Sequence, residues 1–359
     1  MNRVNKGLYW VCDSKVFYNK WQALDYSHSI SKPIQFYFFD KDFSLYEWNI
    51  EPRESWESLL TLRALQLRDK YDYIRLFYSG GVDSQTMLET FLKSNIYIDE
   101  IIVYRGSAAT DDCDDEPADD EVRLVALPYL KSIEHQIPKT KITVLETGAT
   151  WLSENLNESY FYEESTFAIR PWCERHLYRR SPELLRPFEK GLYHCDLRGG
   201  DKPKVFLENG NYYMAMYDSS RIWDIGDEFL ENFYLTPDMP QLHAKQCHMV
   251  KNFLKENFPA HSEIKSFFNV FDTEKLEIIN RVCRVPRYKE VNLGKGITGV
   301  MSSKQMIIQV RAKKYNPKIF NLWESFLNNE GRVRPERFNN DNILDDFKGI
   351  LSKKYSLGS

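Results

Sequence analysis

Apolar positions along this chain recur with two different periods. Residues 16–18 and 34–39 are compact aromatic and β-branched runs and predict strands. Residues 21–27 predict a short helix between them, and 40–42 a turn. Ser55 stands where a helix cap belongs, ahead of a helix with Leu59, Leu60, Leu62, Leu65 and Leu67 on a broad apolar face. From residue 71 onward the two periods take turns. Residues 74–78, 100–104 and 141–146 predict strands, and 85–94 and 119–137 predict helices. Repeated βαβ crossovers imply a doubly wound parallel sheet, hence an α/β fold. Residues 192–197 add a further strand. Asn209-Gly210 between the apolar runs 205–207 and 212–217 predicts a hairpin. Beyond residue 219 the pattern is mostly helical, with helices expected at 241–257, 264–270, 273–282 and 342–353. The expected organisation is a small α+β lobe over residues 1–70, an α/β domain over 71–220 and a mostly α-helical region over 221–359.

Composition narrows this picture modestly. The chain has 359 residues and a net charge of −4, and 14% of its residues are aromatic. Such a charge argues against a wholesale nucleic-acid coat. Acidic side chains concentrate in 99–121, most densely in the loop 110–121, and basic ones in 281–318. The acidic loop reads as a metal or cation site or, more simply, as a solvated segment ahead of a helix N-terminus. None of the six cysteines forms a CxxC pair, which points to reduced thiols and a cytoplasmic setting. No apolar run reaches 18 residues, so no membrane-spanning helix is expected. His243 and His248 are five residues apart, a poor spacing for shared metal ligation on one helix face, and read as core or surface histidines.

The stretch with the clearest chemistry is Tyr78-Ser79-Gly80-Gly81-Val82-Asp83-Ser84. A buried-type strand precedes it and helical spacing follows it. Strand, glycine turn and helix start together aim backbone N–H groups at an anion. Gly80 and Gly81 let the backbone approach a ligand closely. Ser79 and Ser84 bring hydroxyls, and Asp83 sits where a cap or metal ligand belongs. No lysine is present, so this is not a Walker loop. A second glycine turn, Arg198-Gly199-Gly200-Asp201-Lys202-Pro203, follows the strand at 192–197.

The string SGGVDS resembles the PP-loop of the ATP pyrophosphatase superfamily, which includes asparagine synthetase, GMP synthetase, tRNA thiolation enzymes and sulfonucleotide reductases. The resemblance covers roughly residues 71–220. The helical tail is similar, more loosely, to asparagine synthetase-like proteins and to some phage-encoded PP-loop proteins. It implies a HUP-like sheet, ATP and Mg²⁺ as ligands, and cleavage of ATP to AMP and pyrophosphate. Residues 79–84 would then hold the pyrophosphate, and Tyr104 and Arg105, ending the second strand, would lie near adenine. Gly199 and Gly200 would face the PP-loop, with Asp83 and Asp201 on the metal side and Lys202 as the cation for pyrophosphate. The activity so implied is that of a ligase that adenylates a carboxylate or carbonyl for attack by ammonia or an amine, on an acceptor the sequence does not identify. Two alternatives stand beside it. One is a base-modifying enzyme of the same superfamily acting on tRNA or DNA, with the basic stretch 281–318 as its footprint. The other is a nucleotide-binding regulator without turnover.

Overall fold

The computed structural model describes residues 7–18, 23, 26, 27, 29–105, 122–146, 187, 190–199, 204–216, 230–257, 282–286, 288 and 351–359. Three sheets organise them. In the first, β1 (Leu8–Cys12) pairs antiparallel with β2 (Lys15–Phe17) and β3 (Gln35–Phe38). β1 was not anticipated, although Leu8, Trp10 and Cys12 alternate inward with period two. The expected turn after β3 is a single helical turn, α1 (Asp40–Phe43), whose Phe43 is buried.

Helix α2 (Trp56–Lys70) starts as expected, with the Ser55 hydroxyl accepting from the Ser58 N–H at 3.1 Å. Its buried face differs from the one expected. Leu59, Leu60 and Leu67 are inside, but Leu62 and Leu65 are about half exposed, at 48% and 49%. Arg63 takes the inward place and is fully buried. It reaches Glu231 at 2.9 Å and the Asn232 carbonyl at 3.0 Å, and Lys70 meets the same Glu231 at 2.8 Å. A tertiary ion pair has therefore rotated the buried stripe away from the simple leucine count.

The second sheet carries the fold. β4 (Tyr73–Phe77) leads through the glycine loop into α3 (Val82–Lys93), and then to β5 (Glu100–Arg105). A π-turn (Val122–Ala126), α4 (Leu127–Ser132) and a 3-10 turn (Glu134–Gln136) connect β5 to β6 (Lys141–Glu146). β7 (His194–Arg198) then pairs with β4 on its other side. The chain next makes the predicted hairpin of β8 (Lys204–Glu208) and β9 (Asn211–Ala215). Asn209 and Gly210 form its turn with φ of 52° and 78°, the doubly positive pair that a two-residue hairpin requires. β10 (Leu230–Asn232) returns to pair with β7. All four pairings within this five-stranded sheet are parallel, in the order β10-β7-β4-β5-β6. This is an α/β arrangement. Numbered by their order along the chain, its strands read 3-2-1-4-5 from the β6 edge.

Two features fall beyond the expected boundary at residue 220. β10, the fifth parallel strand, comes from the region read as helical. So does β11 (Tyr355–Gly358), which pairs with β9 and closes the third sheet in the order β11-β9-β8. Residues 351–353, read as the end of a helix, are extended instead, and the Ser352 N–H donates to the Met216 carbonyl at 2.8 Å. Helix α5 (Pro240–Asn257) forms where expected. Its buried face includes Leu242, Val250 and Leu254, and also His243, Gln246, Cys247 and His248. His243 lies flat on Phe43 at 6.0 Å between ring centres, and His248 Nε2 is 2.8 Å from the Trp48 carbonyl, so both histidines are core residues. The helices expected at 264–270 and 273–282, the acidic loop 110–121 and all but a few residues of the basic stretch 281–318 lie outside the described residues. Among the described residues no helix is long and apolar enough to cross a membrane.

Candidate functional site

In an open parallel sheet the ligand crevice forms where connections from adjacent strands depart in opposite directions. Here that point lies between β4 and β7. From β4 the chain moves out through β5 to β6, and from β7 it moves the other way to β10. The glycine loop leaves the carboxyl end of β4, and Gly199 leaves the carboxyl end of β7. The two sequence motifs therefore meet at the switch point.

The loop is held by its own side chains. Gly80 turns the chain with φ of 81°, a left-handed conformation in which a side chain would be strained. The Ser84 hydroxyl donates to the Gly81 carbonyl at 3.0 Å and accepts from the Ser79 N–H at 3.2 Å. The Ser79 hydroxyl accepts from the Gly81 N–H at 3.3 Å. The serines thus brace the turn. Gly81 is the N-cap of α3 and supplies no side-chain cap. The Gln85 N–H makes the first helical bond, to the Gly81 carbonyl. The first-turn N–H groups of α3 precede the helix's own hydrogen-bond ladder, and the helix dipole adds partial positive charge there.

Asp83, in that first turn, is contacted from three directions. Behind it, an added Cβ on Gly199 would stand 3.2 Å from the Asp83 Cβ, a tight contact that would push the two turns apart by a few tenths of an ångström. Above it, the Tyr234 hydroxyl, two residues past β10, donates to the Asp83 carbonyl at 2.8 Å. Third, Arg284 Nε donates to Asp83 Oδ1 at 2.6 Å. Arg284 is 8% exposed, and its guanidinium lies 3.6 Å over the Tyr234 ring. Burial works against the Arg284 charge, but Tyr234 and Asp83 outweigh it and hold the group above its ordinary range. Burial likewise pushes the Tyr234 phenol well above its usual range, so it stays a neutral donor.

The segment around Arg284 is fastened to the same corner. The Val285 N–H donates to Thr86 Oγ1 at 3.0 Å, and Trp56 Nε1 donates to the Cys283 carbonyl at 3.0 Å. Arg284 Nη1 donates to that carbonyl at 2.9 Å. Nη2 is buried and has no hydrogen-bond partner among the described residues. An unsatisfied buried N–H costs about 1–3 kcal/mol, and more on a charged group.

Of the residues singled out from sequence, the structure brings together Ser79, Gly80, Gly81, Val82, Asp83, Ser84 and Gly199. Tyr104 and Arg105 are the last two residues of β5, next to β4 in the sheet, and only their backbone is described. Gly200, Asp201 and Lys202 lie outside the described residues. Arg284 and Tyr234 were not singled out. Tyr234 carries no motif. Arg284 counted only as one charge of the basic stretch, and the apolar neighbours Cys283, Val285 and Pro286 were the available sign that it faces inward.

Among the described residues no group of three or more His, Cys, Asp or Glu side chains is placed to hold a metal ion. Asp83 is the carboxylate of the loop, and it is paired with Arg284. The described donors do not form a resident metal site. Their chemistry is that of an anion cradle of backbone N–H groups, a helix N-terminus and a buried guanidinium. No family model, curated protein or solved structure matches the chain.

Proposed function

We propose that this chain is an ATP pyrophosphatase of the PP-loop type, with a HUP-like sheet, that cleaves ATP to AMP and pyrophosphate in order to adenylate an acceptor. One observation carries the reading: the SGGVDS turn forms the uncapped start of α3 at the switch point of a parallel sheet, with the Gly199 turn packed against Asp83. An acceptor carboxylate or carbonyl oxygen attacks the α-phosphorus. The bond from that phosphorus to the α,β-bridging oxygen breaks, and the electron pair leaves with pyrophosphate. An amine or ammonia then displaces AMP from the activated acceptor. Negative charge grows on pyrophosphate during the first step, and the first-turn N–H groups of α3 stabilise it without needing to reorganise. Magnesium enters as part of the Mg·ATP substrate, held mainly by phosphate and water oxygens.

The test is direct. The protein is mixed with ATP and Mg²⁺ and a panel of carboxylates, nucleosides and tRNA, and products are resolved by phosphorus NMR. AMP with pyrophosphate is the expected pair, and exchange of labelled pyrophosphate into ATP identifies the acceptor. Formation of ADP and phosphate in their place rejects the reading.

A further inference from the structure

The orphan nitrogen at the loop points to a residue that the loop motif does not contain. We infer that Arg284 is a phosphate-binding residue of this site, its Nη2 donating to the pyrophosphate group seated on the first turn of α3. Identification of the anion as pyrophosphate rests on the function proposed above; the anion site itself rests on geometry.

Two Arg284 nitrogens are occupied, Nε by Asp83 and Nη1 by the Cys283 carbonyl. Nη2 is buried and unpartnered among the described residues. A guanidinium is planar, and Nε–H and one Nη2–H point the same way as a fork. Arg75 in this protein uses that same edge, gripping both oxygens of Asp196 through Nε and Nη2. In Arg284 the edge faces Asp83 at the helix start, and Nε alone is used. The second tine is therefore directed to the first turn of α3, on the side of Asp83. The side chain is anchored there. It stacks on Tyr234 at 3.6 Å, lies 5.9 Å from the Trp56 ring, and sits between the bonds that Cys283 and Val285 make. Nη2 is closed off from solvent as the site stands, so a phosphate oxygen completes the fork once the groups covering that nitrogen give way, the arginine itself staying in place. Asp83 then acts as a positioning residue that fixes the guanidinium plane.

Binding of inorganic pyrophosphate and of orthophosphate is measured by calorimetry, with and without Mg²⁺, for the wild type, Arg284→Lys and Arg284→Gln. Lysine keeps a cation for Asp83 but has no fork. Expected is pyrophosphate binding by the wild type, weakened about tenfold or more in Arg284→Lys and further in Arg284→Gln. Orthophosphate should discriminate less between them, since it does not span both the helix start and the arginine. Unchanged pyrophosphate affinity in a folded Arg284→Lys protein overturns the inference, while a wild type that still forms AMP and pyrophosphate keeps the pyrophosphatase reading intact. A wild type that binds neither pyrophosphate nor ATP removes both. A crystal structure of the wild type with imidodiphosphate decides the matter even if the variants do not fold. An anion oxygen within hydrogen-bond distance of Arg284 Nη2 supports the inference, and an anion seated elsewhere rejects it.

Discussion

Two arginine–aspartate pairs, one on β4 and one past the loop that follows it, are built differently. Arg75 on β4 faces Asp196 on β7 in direct register. Both groups are buried, both carboxylate oxygens accept, at 2.5 and 2.9 Å, and no Arg75 nitrogen is left without a partner. Arg284 and Asp83 meet in the first turn of α3, past the glycine loop that follows the same strand. Here the arginine is equally buried, but the aspartate side chain is 34% exposed, one bond links them, and one nitrogen is unmatched. The first pair is saturated and locks two strands together. The second is incomplete and lies beside the glycine loop, with one guanidinium nitrogen left buried and unmatched among the described residues. A buried ion pair is weak evidence of stabilisation in itself, since desolvation opposes it, but leaving one partner alone is costly. What separates a structural pair from a binding pair is which donors remain open and where they point.

The strongest way to break this comparison is Asp196→Ala. It strands Arg75 in the core, and unfolding stability should drop by about 3–5 kcal/mol, read from urea midpoints at constant slope. A drop below about 1 kcal/mol would mean that the saturated pair is not structural. The next effect is kinetic. Asp83→Ala should cost somewhat less stability, about 2–3 kcal/mol, because the buried Arg284 charge loses its partner although the lost carboxylate itself is partly exposed. Pyrophosphate release should fall roughly 100-fold or more as Arg284 loses its positioning. Release at the wild-type rate would remove the role assigned to Asp83. Gly199→Ala is a smaller perturbation. Its Cβ would press on Asp83 at 3.2 Å and on Tyr234 at 3.6 Å. A loss of about 1–2 kcal/mol in stability is expected, with a raised KM for ATP. Unaltered stability and KM together would show that the two turns are not in contact.

The smallest effect concerns acid. His194 is buried on β7, and burial, then the nearby Arg75 charge, lowers its pKa to about 4. The folded protein therefore keeps this ring neutral at a pH where the unfolded chain, with an ordinary value near 6.5, takes up a proton. The unfolded state binds more protons between these values, so stability is full above about 6.5 and declines as pH falls toward 4. On the order of 1 kcal/mol should be lost by pH 6, with His248, lowered for the same reason of burial, adding to it. In a His194→Gln variant the decline should be shallower. An equal slope in variant and wild type would assign the acid sensitivity to other groups.

Much of the fold was legible along the chain because its signals are local. The strands at 73–77, 100–105 and 141–146 are dense apolar runs, and the hairpin turn Asn209-Gly210 is dictated by the need for two positive φ values. The glycines of the loop follow from backbone sterics, which a short string encodes, although α3 begins at Val82, three residues ahead of the expected 85. β10 and β11 were not legible. Their strand residues, Leu230-Glu231-Asn232 and Tyr355-Ser356-Leu357-Gly358, form no dense apolar run, and they become strands where β7 and β9 offer them an edge. Arg63 shows the same limit within a helix that was otherwise read correctly. Its burial depends on Glu231, 168 residues away.

The amino-acid sequence alone determined that a strand, a glycine turn and a helix start follow one another at residues 73–93, since torsional preferences and capping act within a few residues. Tertiary structure alone decided what surrounds that turn. It brought Gly199 against Asp83, set Tyr234 above it, and delivered Arg284 from 201 residues further along the chain. Such juxtapositions arise from strand order and the packing of distant segments, and no local pattern carries them. The loop supplies the cradle, and the fold supplies the buried charge beside it.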